Sequence, residues 1–145
     1  MKKILFLIIL MVTATVNTAD AHIEISNSWA RLIPNGTGAL FLDIKNSHSE
    51  SDILIGASSP SANSVMLHKT QRKNDITHMK HLMKGINIPA EGEVFLKPGS
   101  YHIMLSGLSE NLKLGDKIDV ILEFKNNDKI TVQPTLKMKP PFIRN

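Results

Sequence analysis

The chain has 145 residues, of which 42% are hydrophobic and 21% charged, with a formal net charge of +4; this fits one globular domain with a single core rather than a disordered tail or a polytopic membrane protein. It has no cysteine, which rules out disulfide staples, thiolate metal sites and cysteine nucleophiles. The lysines are scattered, the only arginines are Arg31, Arg72 and Arg144, and aromatics are 5% of residues, so there is no stacking platform for nucleic acid.

Taken in chain order, the first segment pairs Lys2 and Lys3 with an apolar run from Ile4 to Val12 and closes on Ala19-Asp20-Ala21, an A-x-A cleavage pattern. We read residues 1–21 as a secretory signal peptide and residues 22–145 as one domain, with His22 as the mature N-terminus. The apolar run falls far short of the roughly 20 residues that span a bilayer, and no other stretch comes close. Cleavage removes two basic residues and one acidic residue, leaving 17−2 = 15 basic and 13−1 = 12 acidic.

Short segments rich in β-branched or apolar residues follow at 22–30, 38–45, 51–57, 64–70, 93–96, 101–105, 118–124 and 129–136. Each reads as a strand. Turn signals separate them, among them Pro34-Asn35-Gly36, Ser59-Pro60-Ser61, Pro89-Ala90-Glu91-Gly92, Pro98-Gly99-Ser100 and Asn126-Asn127-Asp128. With no long helical periodicity, the pattern predicts an all-β, antiparallel sandwich of Greek-key type. In the segment from Ile118 to Phe124, Asp119 and Glu123 alternate with Ile118, Val120, Leu122 and Phe124, and the second set is expected to face the core. Residues 137–145, with Pro140-Pro141, read as an extended tail.

The chemistry lies in histidines and methionines. In His102-Ile103-Met104 the first and last residues point to one face of a strand, roughly 6 to 7 Å apart, so an imidazole and a thioether can share a metal. Met66-Leu67-His68 repeats the spacing in reverse order, and Thr77 to Met83, with His78, Met79, His81 and Met83, forms a third cluster at a strand end or hairpin. Soft, uncharged thioethers with imidazoles and no carboxylate suit Cu(I) better than zinc, magnesium or calcium. A blue-copper electron-transfer site needs a cysteine, so the metal is held for carriage. The plain alternative is that these side chains only pack, since Met fills core gaps and loop histidines are commonly solvated.

His68, ten intervening residues, Met79, and then His102-x-Met104 resemble the signature H(M)-x10-M-x21-H-x-M of the periplasmic copper chaperones called PCuAC. The second gap is 22 residues here, one longer than the signature. Ser28-Trp29-Ala30-Arg31, Gly56 to Pro60 and Leu96 to Leu105 also resemble segments of that family in family order. Ser100 stands where a second glycine is usual, and Met66 where the family often has another residue.

The resemblance implies a cupredoxin-like sandwich and a periplasmic, non-enzymatic protein. It implies Cu(I) held by His68, Met79, His102 and Met104. It also implies delivery to a receiving protein, such as a Sco-type protein or a cytochrome c oxidase subunit, toward the copper A centre. Beyond the resemblance, Met66 is a candidate auxiliary ligand because it shares a strand face with His68, and Cu(II) is a second candidate state. If cleavage follows Ala21, His22 adds an α-amino nitrogen beside its imidazole, a further Cu(II) chelate. Two other readings compete: a copper-dependent redox enzyme, and a metal-free module that docks a partner through a strand edge.

Overall fold

The computed structural model describes residues 22–126 and 129–138. The signal-peptide reading of residues 1–21 and most of the C-terminal tail lie outside these described residues, as do Asn127 and Asp128 of the predicted turn.

Among the described residues every regular element is a strand: β1 (Ile23–Ile33), β2 (Thr37–Asn46), β3 (Asp52–Ser58), β4 (Ala62–Lys73), β5 (Ile76–His81), β6 (Ile86–Ile88), β7 (Gly92–Leu96), β8 (Tyr101–Leu108), β9 (Val120–Phe124), β10 (Ile130–Val132) and β11 (Thr135–Lys137). A seven-stranded sheet runs β11-β1-β2-β8-β4-β5, with β7 also pairing β2, and packs on a four-stranded sheet of order β10-β9-β3-β6. β2 serves two partners in succession: Thr37 to Leu40 pair β8, and Leu42 to Asn46 pair β7. The β1–β11 pair is parallel, the one such pair among these ladders and a departure from the antiparallel expectation.

The two sheets enclose one main core, in which Leu40, Ile44, Leu54, Ile88, Ile103, Leu105, Val120 and Leu122 are wholly buried. Ile118, Val120, Leu122 and Phe124 face it as their alternation predicts. A small second cluster of Trp29, Ala39 and Phe41 is separate from the main one. Its members alternate with core residues such as Ala30 and Leu40, so it lies on the outward face of the large sheet.

Three sequence expectations are corrected here. The last predicted strand is two strands, because Gln133-Pro134 interrupts the ladder and proline cannot donate to it. Lys137, assigned to the tail, is the last residue of β11. β6 is not among the predicted strands: a three-residue strand with a single exposed asparagine between two buried isoleucines gives too short a signal.

β5 matters most for function. Asn74 and Asp75 both have positive φ, 50° and 59°, the conformation of a two-residue type I′ hairpin. That turn pairs Lys73 with Ile76 and carries the register back to His68 opposite His81. The hairpin is then drawn back to the core at Leu82, whose N–H donates to the Leu67 carbonyl at 2.8 Å.

Candidate functional site

Cross-strand pairing brings the histidines and methionines together on the outward face of the large sheet. In β8, Ile103 and Leu105 point inward and are fully buried, so His102 and Met104 point outward. In β4, Leu67 points inward and Met66 and His68 outward. The register sets His68 opposite His102 and Met66 opposite Met104. Directly opposed residues share a face, with Cβ atoms about 4.5–5.5 Å apart. The result is a two-by-two block of two imidazoles and two thioethers.

The row of imidazoles continues onto β5, where His81 opposes His68. The His68 ring centroid lies 5.7 Å from that of His102 and 5.6 Å from that of His81. Met79 is on the same face one row further along, opposite Thr70, and is 62% exposed. His78 opposes Gln71 on the other face of β5, so the Thr77 to Met83 cluster is divided. Met83 follows the strand and is 88% exposed.

His102 is buried although it faces outward, because the Phe41 ring flanks it at 6.3 Å and His68 lies on its other side. Its Nδ1 sits 3.2 Å from the Ser100 carbonyl. A carbonyl only accepts, so Nδ1 donates to it and Nε2 is the nitrogen left to meet a metal ion. His68 differs: its Nδ1 is buried and has no hydrogen-bond partner. Burial, then the neighbouring His102 and His81, hold its pKa below the ordinary value of 6.5. A neutral imidazole with an unused nitrogen, between two further imidazoles and beside two thioethers, is a donor set for a soft metal ion.

Among the described residues, no group of three or more histidine, cysteine or carboxylate side chains is gathered as a ready metal cage. As the side chains stand, a donor set on this face is completed either by a thioether or by a turn of the exposed His81 ring toward His68. On the side away from β5 the face continues into Ala39, which opposes Met104, and into Phe41 and Trp29, whose rings lie 4.7 Å apart. The Arg31 guanidinium caps both rings at 5.9 and 6.0 Å. This gives the donors an apolar, aromatic flank.

The remaining candidates lie elsewhere. The His22 ring lies against that of His48, centroids 4.4 Å apart and planes tilted by 50°, beside the loop that follows β2. Met138 lines an open 880 Å³ cleft with Leu112 and Leu114. Sequence reasoning left the place of His81 open and did not use Phe41. The Asn74-Asp75 turn signal, once combined with the β4 pattern, is enough to set His81 beside His68.

Comparison with known proteins gives a consistent picture. The model of the family described as "Putative lipoprotein LpqE-like" matches residues 23–135. A relative from Leifsonia xyli subsp. xyli, "Putative lipoprotein Lxx21020", is 37% identical over 79% of this chain and 69% of its own length. Among solved structures, a copper-bound PCuAC domain from PmoF2 superposes with a TM-score of 0.68 at 23% identity, covering 81% of this chain and 94% of that one. The CuI form of DR1885 from Deinococcus radiodurans gives 0.62 at 27% identity, covering 77% and 76%. The fold is thus the cupredoxin-like sandwich of the PCuAC domains.

Proposed function

This chain belongs to the LpqE-like family, of PCuAC type, and from that premise we propose that it is a copper chaperone that carries Cu(I) on the outward face of its large sheet. The observation that carries the reading is the pairing of His68 with His102 and of Met66 with Met104, with Nδ1 of His68 buried and unpartnered. Copper-bound relatives of the same fold support it.

His68, His102 and Met104 supply ligands from the two-by-two block, with Met66 as auxiliary. Met79 completes the set from the edge hairpin. It starts one row away, and a long, unbranched, exposed side chain lets it swing over the ion or release it. An open sheet face bordered by an edge strand suits exchange, since an acceptor can approach it directly.

Transfer proceeds by ligand exchange. Neutral thioethers and imidazoles yield the ion to an acceptor's thiolates, which are softer and charged. No bond other than metal–ligand bonds changes, and the protein is not an enzyme in this reading. The receiving protein is of Sco type or a cytochrome c oxidase subunit, and copper moves toward the copper A centre. Residues 1–21 direct export to the periplasm and are then removed.

An anaerobic Cu(I) competition titration of the mature chain and of His102→Ala/Met104→Ala tests the site. One-to-one binding lost in the variant supports it. Weak binding, or binding unchanged by the substitutions, favours the metal-free docking module instead.

A further inference from the structure

The imidazole row is longer than the Cu(I) set requires. His81 lies in register with His68, its ring centroid 5.6 Å away, while His102 flanks His68 from the other side at 5.7 Å. Strands are about 4.8 Å apart, so three histidines on three adjacent strands span roughly 10 Å. The central ring is the one with the unpartnered buried nitrogen. One flanking ring, His102, is held by the Ser100 carbonyl. The other, His81, is exposed on the edge strand, and its ring has to turn inward to join a metal ion held by the other two.

We propose that His81 is a third imidazole of this centre, recruited when the copper is divalent. Thioether sulfur favours the monovalent ion and imidazole nitrogen the divalent one, for which copper stands highest among the first-row metals. The rows on either side of the three histidines carry the methionines, Met66 and Met104 on one side and Met79 on the other. One face therefore holds two overlapping donor sets that share His68 and His102. Cu(I) is completed by thioethers and Cu(II) by His81. The inference rests on the copper-carrying reading above and involves no electron transfer by the protein.

The test uses the mature chain, His81→Ala, His78→Ala and His68→Ala/His102→Ala. Copper(II) sulfate is added without reductant, and pulsed EPR counts the coordinated imidazoles. The signal that survives in His68→Ala/His102→Ala, from His22 at the new N-terminus, is subtracted. The expected result is three imidazoles in the parent and in His78→Ala but two in His81→Ala. Cu(II) affinity in His81→Ala should fall about tenfold or more, on the scale of lost supporting groups at metal sites, while Cu(I) affinity under anaerobic competition stays within about threefold. Two imidazoles in the parent, a spectrum unchanged in His81→Ala, or an equal loss for both ions overturns the proposal. Cu(I) binding that survives in His68→Ala/His102→Ala overturns the copper-carrying reading itself, and the two failures are thereby told apart.

Discussion

Adjacent residues of β8 should separate stability from metal binding. Ile103 is fully buried in the main core, whereas Met104 is half-buried on the opposite face beside Met66 and Ala39. Ile103→Ala removes a fully enclosed side chain and leaves a cavity between the sheets, at a cost of about 2–5 kcal/mol. The thermal midpoint should then drop by on the order of 10 °C. Full burial of a methionine contributes about 1.5–3 kcal/mol, so a half-buried one loses less than about 1.5 kcal/mol on truncation. Urea unfolding of the metal-free mature chains, followed by circular dichroism, measures both. Ile103→Ala that folds at low temperature should keep Cu(I) affinity within about tenfold, and Met104→Ala should lose more. Equal destabilisation by the two substitutions would refute the assignment of Met104 to the outward face.

Other substitutions probe the scaffold. Gly85 has φ of +78°, and an added Cβ would collide with the Leu54 carbonyl oxygen; Gly85→Ala should cost about 1–3 kcal/mol or more in urea titration. Asn46 is buried, donates from Nδ2 to the carbonyls of Glu50 and Pro89 at 2.8 and 3.1 Å, and accepts from the His48 N–H at 2.9 Å. Asn46→Ala strands those groups and should cost about 1–3 kcal/mol. His68 supplies a pH dependence of metal-free stability. Its native pKa lies below 6.5, so on acidification the unfolded chain takes up the proton first and stability falls as pH drops through about 6.5, levelling off below the native value. His68→Gln should flatten the slope of unfolding free energy between about pH 7 and pH 5; an unchanged slope would remove His68 as its source.

The alternation in Ile118 to Phe124 was legible because one face is wholly apolar, and period two then dictates which residues enter the core. His102-x-Met104 and Met66-x-His68 were legible for the same reason: each pair flanks a single core residue, Ile103 or Leu67, and must face away from it. Pairing across strands was harder to see. The opposition of Met66 to Met104 depends on the register between β4 and β8, which are separated by β5, β6 and β7. No local propensity encodes that register. β5 itself is exposed at every position, so it lacks the apolar alternation that marks a strand, and only its Asn-Asp turn betrays it. The outward placement of Trp29 was hidden because a buried aromatic ordinarily signals core, whereas here it is covered by Phe41 and Arg31.

X-ray absorption of the mature chain loaded with one equivalent of Cu(I) tests the central claim most directly, since it reads the donor atoms themselves. A first shell containing both thioether sulfur and imidazole nitrogen, with the sulfur contribution reduced in Met104→Ala and the nitrogen contribution reduced in His68→Ala, is the predicted result. A shell of nitrogen and oxygen alone, or one that neither substitution alters, would contradict a copper centre on this face.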